Sequence, residues 1–413
     1  MTTDTIDATT LHGLLRSGEE IALIDLREQG DFGRRHILRA VNIPLSRLEL
    51  MYRRMLPRRD VPIILTGDGS GLAARGAEIL TFAGWTDVRL LDGATDAWEA
   101  AGYPVFSGVN VPSKAFGEYV ETRFGTPHIS AAALRARLDA GEKIAILDSR
   151  PFGEFTNMSI PGGIDVPGAE LVHRARQAVP DPETPIVVNC AGRTRSIIGA
   201  QSLINAGVPN PVAALENGTM GWMLAGMECA RGETATAPPP EGDADAWARA
   251  AAAKVADRFG VPKVDAATVE AWENAPDRTT YLLDVRTREE FEAGHWPGAR
   301  HAPGGQLVQA TDEYVAVQNA RIVLMDDTET RAIMTASWLI QMGWPDVAVL
   351  AGGVGDRATE TGAVEDFVYE LELMPVTWIS AADAIALDGV PIVDFSSSLS
   401  HRKGHPKGAR FAI

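Results

Sequence analysis

Short apolar runs that close on an acidic residue recur along the chain: Ala22-Leu-Ile-Asp25, Ile146-Leu-Asp148, Leu282-Leu-Asp284 and, near the end, Ile392-Val-Asp394. Runs of this length bounded by turn residues predict buried strands. Upstream of each lies a residue suited to cap a helix, Asp7, Ser130, Asp265 or Ser380, followed by Ala-rich sequence of helical period. The spacing then repeats. A phenylalanine follows seven residues after the first three aspartates, at Phe32, Phe155 and Phe291. Forty-two residues after the same aspartates stand Gly67, Cys190 and Asp326, each at the end of a second strand-like run. Seventeen residues further stand Gly84, Gly207 and Gly343, placed to close a helix. Short strands ending at Leu91, Leu215 and Leu350 complete each copy. Strands alternating with helical segments predict βαβ units and a parallel sheet covered on both faces. The expected fold class is therefore α/β, as tandem doubly wound parallel-sheet domains with helices on both faces.

The copies divide the chain into 1–110, 111–232, 233–372 and 373–413. Two connector helices are expected between them. One, capped by Ser113, carries Phe116, Val120 and Phe124 and ends at Gly125; the other carries Trp247, Ala251, Val255 and Phe259 and ends at Gly260. Their apolar stripes predict packing against a domain. Glu233 to Asp243, with Pro238, Pro239 and Pro240 in a row, reads as a flexible or polyproline II linker. The fourth copy reaches Ile413 before its own loop position, too short to close a sheet domain. The expectation there is a truncated chain whose stub is poorly ordered or borrows its packing from a neighbouring domain.

Composition narrows the partners. A chain of 413 residues with 45% hydrophobic content can bury several cores, and a net charge of −17 excludes nucleic acid or an anionic membrane as a general partner. Two cysteines make no disulfide framework, which points to a reducing compartment. The opening Met-Thr-Thr-Asp-Thr-Ile-Asp has neither the basic nor the apolar region of a secretion signal, and no stretch is long and apolar enough to span a bilayer. A soluble, cytoplasmic protein is expected. The eight histidines show no metal-ligand spacing, so no metal or other cofactor is expected.

The candidate chemistry lies in Pro185 to Gly207. Ile186 to Val188 predicts a strand ending at Cys190, and a helical pattern opens at Ser196 with Ile197, Ile198, Leu203 and Ile204 on its apolar face. A cysteine at the carboxyl end of a parallel strand faces the N-terminus of the next helix, where amide N–H groups converge and the dipole favours an anion. Arg193 and Arg195 add positive charge beside it. Such surroundings are expected to lower the thiol pKa and leave a nucleophilic thiolate.

The residues Leu-Leu-Asp284-Val-Arg286, Glu290-Phe291 and Gly294-His-Trp-Pro-Gly-Ala299 resemble the opening signature of rhodanese-like domains. Asn189-Cys190-Ala-Gly-Arg-Thr-Arg-Ser196 resembles their active-site loop, and the likeness runs through three repeats and the start of a fourth. The resemblance implies a multi-domain sulfurtransferase without a cofactor. In it the Cys190 thiolate takes the outer sulfur of a small anionic donor of the thiosulfate or 3-mercaptopyruvate class. It holds that sulfur as a persulfide and passes it to a thiol, cyanide or protein acceptor. The loop amides of Ala191, Gly192, Thr194 and Ser196 would cradle the anionic sulfur. Arg195 and Arg193 would bind the donor's anionic group, and Arg150 would reach the pocket mouth. Two alternatives stand beside this: a persulfide carrier or redox-regulatory binding protein, and a cysteine phosphatase or arsenate reductase. Loop length bears on the last. Phosphatase cradles place an arginine six residues after the cysteine, whereas here that position is Ser196 and Arg195 is five away.

Other motifs have blander readings. Gly67-Asp-Gly-Ser-Gly71 lacks the final glycine of a dinucleotide loop, since Leu72 takes its place, and aligns as the same loop without its nucleophile. In the third copy Asp326, beside Asp327 and Glu329, replaces the cysteine; a carboxylate cannot hold a persulfide, and neither loop carries the pair of arginines. The first and third copies are thus expected to be inactive. Cys229 is expected in the core, with a resolving thiol as its alternative. His295 and His405 belong to the turn signature, and Asn217-Gly-Thr219 reads as a coincidental glycosylation sequon.

Overall fold

The computed structural model describes residues 4–364, 376–387 and 389–412; the boundary expected at 372–373, the first three residues and Ile413 lie outside them. Two compact units are formed, one by residues up to Val111 with Val315–Gln318 and the last stretch of the chain, the other by Pro112–Tyr314 with Asn319–Val364.

In the first unit the main parallel strands run in the order Thr5–Ile6, Val88–Leu91, Ile63–Thr66, Ile21–Asp25. Val41–Asn42 and the antiparallel Val317–Gln318 both pair with Ile21–Asp25. The short parallel pair Val393–Asp394 and Arg410–Phe411 makes a sheet of its own. Its stub packs within this unit, where the Gly30 amide donates to Ser398 Oγ at 3.1 Å.

The second unit holds two five-stranded, all-parallel sheets of identical order. One runs His128–Ile129, Val212–Leu215, Ile186–Asn189, Ala145–Asp148, Ile164–Asp165; the other runs Lys263–Val264, Val347–Leu350, Arg321–Met325, Thr280–Asp284, Arg300–His301. The expected caps form: Asp7, Ser130, Asp265 and Ser380 each accept an amide N–H three residues on. On one face of the cysteine-bearing sheet Leu134, Ile146, Ile160, Val187, Leu215 and Trp222 make a continuous core.

Each buried run ends in Asp for a physical reason. Asp148, Asp25 and Asp284 grip the arginine two residues on, and that guanidinium reaches the carbonyl eight residues further, at Met158, Arg35 and Gly294. The clamp ties the strand end to the following turn. Arg150 is thus consumed inside the repeat, 2% exposed, with Nε 2.8 Å from Asp148 Oδ1 and Nη2 2.6 Å from Met158 O. It does not reach a pocket mouth, as the resemblance implied.

Three other local expectations need correction. The connector helix spans Val111–Phe124, and Ser113 lies inside it, its hydroxyl donating to Gln309 O at 2.6 Å instead of capping. The helix after Cys190 opens at Thr194 rather than Ser196. The Pro-rich stretch is no free linker: Asp165 N donates to Ala235 O, and Ala237 N donates back to Asp165 O, laying it along the edge strand Ile164–Asp165. Covering an open edge satisfies backbone groups that would otherwise invite foreign strands.

Candidate functional site

Cys190 follows the strand Ile186–Asn189, and four residues later the helix Thr194–Ala206 begins. The strand is held on both sides, by Ala145–Asp148 and Val212–Leu215, so its end is a fixed point. The loop is pinned from behind by the helix Gly218–Leu224. Thr219 N donates to Cys190 O at 2.8 Å and Met220 N donates to Ala191 O at 3.1 Å. In a trans peptide the N–H points opposite the C=O, so pinning these carbonyls turns the amides of Ala191 and Gly192 to the other side. Gly218 makes the close approach possible. Its φ is +51°, and a Cβ there would collide with the Cys190 carbonyl.

Among the described residues, no acceptor pairs with the amide N–H groups of Ala191, Gly192, Arg193, Thr194, Arg195 and Ser196. These are the unsatisfied donors of a helix start plus the turn before it, a ready-made anion cradle. Cys190 is 2% exposed, and Ser196 Oγ donates to its sulfur at 2.9 Å.

The two arginines are arranged differently from the expectation that both face the sulfur. Arg195 lies half-buried, Nη1 and Nη2 at 2.8 and 2.9 Å from the two oxygens of Glu154, with Nη1 also 3.3 Å from Gln306 Oε1. Burial works against its charge, but Glu154 outweighs this and raises its pKa further. Arg193 turns to the connector helix, where Nε donates to Glu118 Oε1 at 2.6 Å and Nη2 pairs with Glu121. The hydrogen bonds of Glu118 hold its charge in place more firmly still.

The equivalent loops are filled by their own side chains. In the first repeat Asp68 Oδ1 accepts from Ser70 N at 2.9 Å and from the Ser70 hydroxyl, which lowers its pKa. In the third, Asp326 takes the place of the sulfur, fully buried, and accepts the Arg331 amide at 2.9 Å. Burial pushes its carboxyl up to about 6. Arg331, five residues after Asp326 as Arg195 is after Cys190, binds Glu290, Glu170 and Asp327. Sequence reasoning passed over Arg331 and the acids that hold the arginines, Glu118, Glu121 and Glu154. Repeat spacing held the signal for one of them: Glu154 stands six residues after its strand-end aspartate, as Glu290 does in the third repeat.

Cys229 is half-buried against the core of the second repeat, and burial raises its thiol. His295 stacks on Phe291 with ring centres 3.9 Å apart, and its Nδ1 lies 2.9 Å from Phe291 O; His36 repeats the contact with Phe32. Among the described residues no cluster of His, Cys, Asp and Glu could hold a metal ion, and no helix is long and apolar enough to cross a membrane.

The family model described as "Rhodanese-like domain" matches residues 7–101, 130–225 and 265–356. A crystal structure of thiosulfate sulfurtransferase from Pseudomonas aeruginosa is similar at 48% identity and a TM-score of 0.90, over 99% of this chain and 78% of that one. Among curated proteins, thiosulfate sulfurtransferase YnjE of Escherichia coli (strain K12) is 42% identical over 70 residues, and this match spans 17% of this chain and 16% of that protein. The HTH-type transcriptional regulator Rv0324 of Mycobacterium tuberculosis is 29% identical over 208 residues, 48% of this chain and 88% of that protein.

Proposed function

Since this chain belongs to the rhodanese-like domain family and is a multi-domain sulfurtransferase of that kind, we propose that its second repeat does the chemistry, through a persulfide on Cys190. The Cys190 thiolate attacks the outer sulfur of a donor such as thiosulfate. A bond forms between the two sulfurs, the sulfur–sulfur bond of the donor breaks, and sulfite leaves with the electron pair. The product, Cys190–S–S⁻, keeps one negative charge at the outer sulfur. An acceptor such as cyanide or a thiolate then attacks that sulfur and the electron pair returns to Cys190.

One observation carries this reading: the six amide N–H groups from Ala191 to Ser196 have no partner among the described residues. Donors preorganised about a developing negative charge stabilise it without reorganising. The Ser196 hydroxyl, already at 2.9 Å, supports the leaving thiolate in the second half-reaction. Arg195, with Glu154 fixing its plane, interacts electrostatically with Cys190 and supplies positive charge to the site. The test is intact mass after incubation with thiosulfate or 3-mercaptopyruvate. A reducible single-sulfur adduct on Cys190, absent from Cys190→Ser, is expected; no adduct with either donor would refute small-molecule transfer.

The charge around the site favours a second reading, a persulfide carrier serving a protein partner. Both arginines are already matched by carboxylates, Arg193 by Glu118 and Glu121 and Arg195 by Glu154, which weakens their hold on a small dianion. Repeated turnover with thiosulfate and cyanide marks the enzyme working on small molecules. A single stoichiometric load discharged by a protein thiol alone marks the carrier.

A further inference from the structure

Beside the cysteine, between the second and third repeats of one compact unit, lies a cleft of about 610 Å³ that the sulfur chemistry does not use. Its size is that of a ligand pocket. One wall carries Asp165, the last residue of the edge strand, and the opposite wall carries His301, the residue equivalent to it in the third repeat. Asp165 is 2% exposed, and its Oδ1 has no hydrogen-bond partner among the described residues. A buried carboxylate oxygen without a partner is costly and calls for an explanation.

Among the described residues the nearby cations are committed. Arg150 is held by Asp148 and Arg174 by Glu170 and the Ala237 carbonyl. Across the cleft Arg286 is held by Asp284, and exposed Arg288 leans 3.4 Å from Glu292. The His301 Nε2 faces the Arg286 carbonyl at 3.0 Å, and burial lowers its pKa, which favours the uncharged ring. Glu289 on that wall is solvated and adds negative charge. The cleft is therefore short of one positive charge, at Asp165.

Register gives the distance to the chemistry. Asp165 pairs with Asp148, and Asp148 pairs with Asn189, the residue before Cys190. Two strand spacings separate them, about 10 Å, or roughly three residues of extended chain. Gln306, which lines the cleft, also touches Arg195 beside the sulfur, so cleft and cysteine adjoin.

We propose that this cleft is a subsite for a lysine or arginine side chain of a protein or peptide thiol that accepts sulfur from Cys190, with Asp165 as its counter-ion. The inference rests on the persulfide reading. The accepting thiolate attacks the outer sulfur of Cys190–S–S⁻; its new S–S bond forms as the old one breaks, the electron pair returns to Cys190 as thiolate, and the negative charge of the outer sulfur stays on the transferred sulfur. Burial, then the neighbouring Asp148, pushes the Asp165 carboxyl up to about 7, with Arg174 and Arg150 pulling the other way and Glu170 adding to the rise. A bound cation would draw the proton off, so selectivity for a cation should grow as pH rises through that value.

Three acetylated tetrapeptide amides test it, Cys-Ala-Ala-Lys and its Gln and Glu counterparts, as acceptors for enzyme loaded with thiosulfate. The lysine peptide is expected to discharge Cys190 with a kcat/KM at least tenfold above the glutamine peptide, with the glutamate peptide slowest. That ratio should rise several-fold between pH 6 and pH 8, where thiol ionisation changes all three peptides alike. In Asp165→Asn the ratio should fall to within twofold. Equal rates, a preference for glutamate, a ratio flat with pH, or a ratio that survives Asp165→Asn would each overturn the subsite while leaving sulfur transfer standing. Failure to load Cys190 with any donor would remove both. The wild-type pH series keeps the test decisive even if the variant folds poorly.

Discussion

Ser196 Oγ sits 2.9 Å from the Cys190 sulfur, with both groups buried, so in the proposed reaction its hydroxyl serves the thiolate in place of water. Hydrogen bonds to charged groups contribute about 1.5–3 kcal/mol, so Ser196→Ala should slow persulfide formation by at least about tenfold while leaving the fold intact. Single-turnover loading from thiosulfate measures it, and an unchanged rate would show the hydroxyl to be idle. Asp165 makes a prediction of opposite kind, about stability. Its carboxyl titrates near 7 when folded, because of burial first and Asp148 second, against an ordinary value of 3.8. From about pH 4 to 7 the folded chain holds a proton that the unfolded chain has lost, so this group's contribution to stability falls as pH rises and is fully lost above 7. The penalty is up to about 4 kcal/mol. Asp165→Asn removes it, and the Tm difference between variant and wild type should widen in the variant's favour from pH 5 to pH 8. A difference constant with pH would mean that Asp165 is ionised throughout.

The element that decides activity is the loop between strand and helix, and each repeat fills it differently. Asp326→Cys puts a thiol where the third repeat has a carboxylate, yet it should give no measurable turnover in a Cys190→Ser background. The position that matches Arg193 is Glu329, and Arg331 is spent on three carboxylates in addition to its amide bond at Asp326. Turnover above background with thiosulfate and cyanide would show that the amide ring alone suffices. Gly218→Ala should abolish loading, since the left-handed backbone and the collision with the Cys190 carbonyl both oppose a side chain there. The alternation of strands and helices, the caps at Asp7, Ser130, Asp265 and Ser380 and the cysteine's place were readable from spacing because they depend on periodicity and on residues near in sequence. The partners of the two arginines were not. Glu118 is 75 residues from Arg193 and Glu154 is 41 from Arg195, so the sequence shows the cations without the acids that folding brings to them. The Pro-rich stretch misled for a similar reason. Its composition describes an isolated chain, whereas the open edge at Asp165 offers it hydrogen bonds.

At the scale of the molecule, the second and third repeats of one compact unit are joined through Arg331. Its side chain is fully buried, with Nη1 3.0 Å from Glu170 of the second repeat and 2.6 Å from Glu290, and Nη2 2.6 Å from Asp327. Around it Trp338 Nε1 donates to Ser202 Oγ at 2.8 Å, and a Cβ added at Gly168 would stand 3.0 Å from the Gly305 Cα, so side chains at this seam would force the backbones apart. Burial alone would raise the Glu290 carboxyl, but Arg331 overrides it and holds the group at about 2. An arginine spreads its donors over a plane and can hold several carboxylates; a lysine, a point charge, cannot reproduce that fork. Arg331→Met keeps most of the volume but takes the guanidinium away from fully buried Asp326 and leaves Glu170 with Arg174 alone. Breaking a buried pair from one side costs about 3–5 kcal/mol, far above a surface salt bridge. The variant should therefore unfold at a Tm lower by roughly 6–20 °C at pH 7. Arg331→Lys should recover only part of that loss. Glu170 opens the helix packed beside the cysteine's own helix, so loading of Cys190 should become unstable to heat at the same temperature. A Tm within 2 °C of wild type would show that the seam is held by packing, with the charges balanced against their desolvation.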